Sequence, residues 1–296
     1  MATGSPARLY VALLVGVVAV SFAAIFIRLA DAPSIVIAAY RLTLASLIVA
    51  PLGFVRRWGE VKALDRHALL FALLSGFFLT WHFALWIASL NYTTVASSVI
   101  FVTTHPLFVG IGSHLFTQDK ITPRMFGGIL LAVAGGMLIG WDDLALGGRA
   151  LWGDLLAVGG AVMAAGYFMA GRRLRREMSL WAYISVVYST AALGALLLAL
   201  GAGEGLTGYS PYTYLMFLLL AIVPQIIGHS SFNWALRHVS ASVVAVIILG
   251  EPVGSTILAH FILHEVPTAV KIAGASLILI GIYFSLREER ADRGMT

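Results

Sequence analysis

The chain has 296 residues, 60% of them hydrophobic and 11% charged, with a net charge of +5 and a mean hydropathy of +0.93. A water-soluble globule, in which about a quarter of residues are charged, is excluded. The absence of cysteine excludes disulfides, thiolate metal sites and thiol nucleophiles.

Apolar windows of about 20 residues, long enough to cross a bilayer, fall near 9–28, 34–55, 67–89, 92–115, 122–141, 151–171, 180–200, 211–235, 240–262 and 267–286. Turn formers and charges separate them, as in "DAPS", "RRWGEVKALDRH", "NYTT", "TQDKIT", "RRLRREMS" and "HEVPT". The expected fold is therefore an all-α polytopic membrane protein of ten helices. Residues 1–24 also fit a secretory leader, with Arg8 before an apolar core, but the apolar run continues past Phe26 and the repeat described below uses it as a span.

Lys and Arg are unevenly shared between the two sets of loops. With the N-terminus in the cytoplasm, 15 lie inside: Arg8, Arg56, Arg57, Lys62, Arg66, Lys120, Arg124, Arg172, Arg173, Arg175, Arg176, Arg237, Arg287, Arg290 and Arg293. Only Arg28, Arg149 and Lys271 lie outside, and Arg41 falls within a span. This bias predicts cytoplasmic termini in a plasma (inner) membrane. It also makes the basic residues topology signals rather than a nucleic-acid-binding face.

An ungapped offset of 146 places Pro106 on Pro252, Ile111 on Ile257, His114 on His260, Gly128 on Gly274, Leu131 on Leu277 and Gly135 on Gly281. The chain then divides into a five-helix repeat over 1–148, a second over 149–288 and a short tail over 289–296. Five is odd, so the second copy enters the membrane from the opposite side. Inverted repeats around one central compartment are the geometry of alternating access.

Three stretches carry a family likeness: "AYRLTLASLIVAPL", "GDLLAVGGAVMAAGYFMAGRRL" and "LRHVSASVVAVIILGEPVGSTILAHFILHEVPTAVKIAGASLILIGIYF". Together they resemble the drug/metabolite transporter superfamily, in its EamA-type ten-helix branch. The nearest likeness within it is to bacterial exporters of aromatic and other neutral amino acids. The resemblance implies a basket of ten helices around a cavity, carrying small metabolites without ATP hydrolysis. The first half departs from the second at one informative place, where His105 stands at the position of Glu251.

Glu251 is the residue that most needs a reason, because a charge near the bilayer midplane costs at least about 3 kcal/mol on insertion scales. Its alternatives are a proton-coupling carboxylate, a counter-ion for a substrate ammonium, or a local partner for the carbonyl that Pro252 leaves without its amide. Arg41, beside Tyr40, either snorkels to the outer interface or holds a substrate carboxylate. Trp81, His82 and Trp86 in the third span, and His229 and Asn233 in the eighth, occupy matching places, with His82 and Trp86 able to share a face, as can His229 and Asn233. Such faces suit an aromatic-lined cavity with a few polar groups. His105, Tyr167, Tyr188 and Gln225 complete the candidate set. Trp58, Trp141, Trp152 and Trp181 fit an interface belt, and the Gly-rich faces of the fifth and tenth spans fit close helix packing.

No metal or other cofactor is expected; His260 and His264 are four apart but lie where a span meets a loop. An intramembrane enzyme is disfavoured: "GHSSF" offers the one Ser-His juxtaposition worth naming, and adjacent helical residues point about 100° apart. A scaffold or receptor would be expected to have longer loops. The function expected is export of small amphipathic metabolites, most simply aromatic and other neutral amino acids, by a monomer whose partners are the substrate and membrane lipid. The alternative is a multidrug, nucleoside or sugar carrier of the same superfamily.

Overall fold

The computed structural model describes residues 6–117, 123–144, 148–239 and 241–292; Lys120 and Arg293, counted among the topology charges, lie outside them. Fourteen α-helices and one π-helical stretch fill these residues. Four spans start on a capping side chain. Asp65 accepts from the Ala68 amide to open α4 (Arg66–Ser89), and Thr94 accepts from Ser97 to open α5 (Val95–Val102). Ser179 likewise opens α9 (Leu180–Gly201), and Ser210 followed by Pro211 opens α10 (Pro211–Leu220).

Five spans run as single helices, namely α3 (Ser34–Lys62), which kinks at Arg57 near its end, α4, α7 (Pro123–Leu144), α8 (Gly148–Leu174) and α9. Four others are interrupted, all beside the central cavity. The first is interrupted at Phe22, between α1 (Pro6–Ser21) and α2 (Ala23–Leu29). The fourth breaks at Thr103 and Thr104, between α5 and α6 (His105–Thr117). The eighth passes from α10 through a π-helical stretch, Ala221–His229, to α11 (Ser230–Ala235). The ninth breaks at Leu249, between α12 (Ala241–Ile248) and α13 (Gly250–Leu263). Among the described residues nine spans are long and apolar enough to cross a bilayer. The tenth is α14 (Ala269–Asp292), whose apolar part is Ala269–Gly281.

The glycines place the two halves against each other. A Cβ on Gly135 would meet the Gly274 carbonyl at 2.5 Å, and one on Gly281 would meet the Gly128 carbonyl at 2.5 Å. Gly128 and Gly274 are equivalent positions, as are Gly135 and Gly281, so each contact maps onto the other when the halves are exchanged. Equivalent helices α7 and α14 therefore run antiparallel with backbones touching, as a pseudo-two-fold axis in the membrane plane requires. The second and seventh spans repeat this arrangement, Ser46 meeting Ser189 at 2.9 Å while Gly53 lies against Ser185.

Loop contacts sort by end. At one end Arg28 reaches Thr93 and Glu265, Glu265 accepts from the Val95 amide, and Asp142 accepts from Thr268. At the other, Glu60 accepts from the Ser179 amide, Arg173 lies over the Phe71 ring, and Arg172 donates to the Leu236 carbonyl. Successive loops thus alternate between ends, as the charge count requires. Two of the counted charges do more than mark topology: Lys271 is 5% exposed and paired with Asp143, and Arg175 is 1% exposed and donates to the carbonyls of Asn233 and Met178. Trp58, Trp141, Trp152 and Trp181 stand on the outer surface.

Candidate functional site

The interruptions all surround one narrow central cavity of about 30 Å³. Seven spans line it and the fifth, seventh and tenth do not. Arg41, His82, Trp86, His105, His229 and Glu251 project into it, among Val20, Thr103, Phe168, Phe232 and Ile248. This volume admits about two water molecules, whereas sites for small organic ligands are on the order of 300 Å³ or more. As it stands the cavity is too small for such a ligand.

Arg41 does not snorkel. It is wholly buried, its Nε donates to Gln225 Oε1 at 2.9 Å, and its guanidinium carbon lies 3.9 Å from the centre of the Phe83 ring. Gln225 reaches it from the π-helical stretch, in which Pro224 supplies no amide and the wider turn shifts the register of the residues that follow. Nη1 and Nη2 have no hydrogen-bond partner among the described residues. Neither do Trp86 Nε1, His105 Nε2, His229 Nδ1 and Gln225 Nε2. Buried polar atoms without partners are few in native proteins, and here six gather around one cavity.

Glu251 is the acidic residue of the cavity lining. The chain breaks just before it, at Leu249, so Glu251 stands in the first turn of α13 with its carboxylate at the positive end of a half-helix dipole. Pro252 follows at a position whose amide has no intrahelical acceptor in any case, which is why proline is tolerated there. His105 occupies the equivalent place at the start of α6, stacked on Phe168 with centroids 5.1 Å apart. Arg41 and Glu251 face the same cavity without forming an ion pair.

His82 and Trp86 share a helix face as expected from their spacing, stacked with centroids 6.0 Å apart, and His82 Nδ1 lies 3.0 Å from the Gly160 carbonyl. His229 faces His82 across the cavity at 6.3 Å. Asn233 does not join its neighbour His229 there. Its amide lies behind the wall, bonded to the Tyr167 hydroxyl at 2.6 Å and 2.9 Å and reaching Tyr188 at 3.4 Å. Tyr188 in turn lies 3.1 Å from Ser230 Oγ. Tyr167, Tyr188 and Asn233 are thus a supporting network, and Gln225 acts on the cavity through Arg41. Ser230 is engaged by Tyr188, away from His229.

Two candidates lie elsewhere. Tyr40 stacks on Phe217 at 4.4 Å and donates to the Leu206 carbonyl at 2.5 Å, and Trp81 packs half-buried beside Phe77. The reason is the helical turn: Tyr40 and Trp81 each precede a cavity residue and point about 100° away from it. Phe83, Thr103, Phe168 and Phe232 were missed, because an apolar ring or a threonine in an apolar span looks like packing until the neighbouring spans are in place.

The model of the EamA-like transporter family matches residues 7–141 and, a second time, residues 151–287. This chain belongs to the EamA-like transporter family. It is 24% identical over 289 residues to an uncharacterized transporter of Archaeoglobus fulgidus, covering 96% of this chain and 99% of that one. It is also 25% identical over 207 residues to the uncharacterized transporter YetK of Bacillus subtilis, covering 68% of this chain and 62% of that protein. A solved crystal structure shares the fold, with a TM-score of 0.66 at 20% identity over 98% of this chain and all of the other. The EamA-like transporter described here is a multi-pass membrane protein that moves small molecules, and the double match coincides with its two five-helix halves.

Proposed function

We propose that this EamA-like transporter exports small zwitterionic, amphipathic metabolites, most simply aromatic and other neutral amino acids, by alternating access. Exposure of Arg41 and Glu251 to one cavity is the observation that supports this most directly. A guanidinium with two donors to spare matches a carboxylate in a two-pronged geometry, and a carboxylate at the other wall matches an ammonium. His82, Trp86, Phe168 and Phe232 supply the apolar and aromatic flanks that a side chain would fill. A sugar or nucleoside offers neither charge, and a lipophilic cation would face Arg41. In this reading Glu251 is the substrate's counter-ion, the cavity must widen before binding, and the interrupted spans provide the joints. Both termini are placed in the cytoplasm on the strength of the arginine-rich loops.

Proteoliposomes loaded with unlabelled phenylalanine and assayed for counterflow of labelled phenylalanine and tryptophan test it. Accumulation is expected, and competition by neutral aromatic amino acids but not by phenethylamine or phenylacetate, each of which lacks one charge. Counterflow driven by nucleosides, sugars or lipophilic cations alone would overturn the zwitterion reading. The same vesicles with and without a proton gradient report whether movement is driven or facilitated.

A further inference from the structure

A second group of buried charges lies near the end where α7 finishes and α8 begins, about 15 Å along α8 from the cavity-lining Ala164. Asp143 closes α7, Asp154 stands two turns into α8, and Lys271 lies in the first turn of α14; they are 0%, 3% and 5% exposed. Lys271 Nζ is 2.5 Å from Asp143 Oδ1 and 3.1 Å from Thr94 Oγ1, and Thr93 Oγ1 donates to Asp143 Oδ2 at 3.4 Å. Asp154 has Asp143, Thr93 and Lys271 as its polar surroundings, and among the described residues no group meets full hydrogen-bond geometry at either of its oxygens. It cannot withdraw, because Gly153 seats this turn of α8 directly on Ser89 and Thr93.

One ammonium therefore serves two buried carboxyl groups. The other charges nearby are committed elsewhere: Arg28 and Glu265 to each other, Asp142 to Thr268, and Arg149 to the Tyr92 ring. On the helices packed against α8, His82 meets Gly160 and His105 meets Phe168, roughly 9 Å and 21 Å further along. None offers Asp154 a counter-charge. A buried carboxylate with no donor is unfavourable, whereas a carboxylic acid donates its O–H to a neighbouring carboxylate.

We propose that Asp143 and Asp154 share one proton, which makes this cluster a proton-binding site separate from the central cavity and held between the two halves. With the proton, the acid of Asp154 bridges to Asp143, the ammonium of Lys271 balances the remaining charge, and α7, α8 and α14 are tied together. When the proton leaves to water, two carboxylates oppose each other across a single ammonium and the tie weakens. The site is independent of which solute the cavity carries.

Infrared spectroscopy of the purified full-length chain in lipid nanodiscs at neutral pH tests the proposal, since ordinary aspartates, with pKa about 4, show no acid band there. The wild type is expected to give a carboxylic-acid carbonyl component that shifts when aspartate carrying a ¹³C carboxyl is incorporated. D154N should abolish that component. D143N should abolish it too, because Asp154 is left with Lys271 to itself and ionises, while E251Q should retain it. Absence of a ¹³C-aspartate shift in the wild type overturns the proposal, a result that needs no variant to fold. Survival of the component in D154N, or in D143N, does so as well.

Discussion

Arg41 keeps one nitrogen on Gln225 and two without a partner, so it is held in place while remaining able to bind. Lysine keeps the charge but not the planar fork, and Arg41→Lys is expected to weaken amino-acid binding roughly tenfold or more, read by titration of the purified protein. Glu251→Gln should weaken it by a similar factor by removing the counter-charge, with a smaller loss for ligands lacking the ammonium. Asn233 makes the opposite kind of case. It is buried and bonded to Tyr167 and Tyr188 behind the wall. Asn233→Leu leaves the Tyr167 hydroxyl unpaired, while Tyr188 keeps Ser230, so a loss of about 1–3 kcal/mol of stability is expected, seen as a lower melting temperature with substrate affinity changed less than by Arg41→Lys. These residue types were evident in the sequence as polar groups in apolar spans. Which of them faced the cavity was not, because Tyr40 and Arg41, or Trp81 and His82, differ by one position and by 100° of helix turn.

Helix interruptions are the main feature at the scale of elements. The break at Leu249 follows from Pro252, and the π-helical stretch from Pro224, so both breaks were legible as prolines within apolar runs. The break at Thr103 and Thr104 likewise precedes Pro106. The interruption at Phe22 has no proline, and the Ser255 hydroxyl is found on the Ser21 carbonyl there at 3.0 Å. No residue of the first span announces it. Helix pairing is decided by small residues. Gly135→Val would push a side chain into the Gly274 carbonyl of α14, so it is expected to lower thermal stability markedly in a melting assay; Gly127→Ala, which meets nothing within 4 Å, should be near neutral.

For the molecule as a whole, the crossed glycine contacts and the alternating loops describe two halves threaded in opposite senses. Since the chain contains no cysteine, single introduced cysteines report sidedness cleanly. Gly203→Cys and Arg176→Cys are expected to react with an impermeant thiol reagent from opposite faces of the membrane, Arg176→Cys from the cytoplasm. Labelling of both from one face would remove the inverted topology and the transport cycle argued from it. Both ends of the closed cavity are tied by contacts between loops, Arg28 with Glu265 at one and Glu60 with Ser179 at the other. In the proposed cycle substrate entry releases one set while the other holds, which is the reciprocal behaviour that two similar halves make possible.

Spans, their alternation and the duplication were written in the sequence, because a bilayer imposes length and apolarity on each helix separately and leaves charge to the loops. Site composition was partly written there too, since a charged or imidazole side chain in an apolar run needs a reason wherever it falls. Tertiary structure alone decided which of these groups meet. Arg41 meets Gln225 across 184 residues, and Lys271 meets Asp143 across half the chain. Such pairings depend on how far each helix is rotated about its axis, and packing against several neighbours at once sets that rotation.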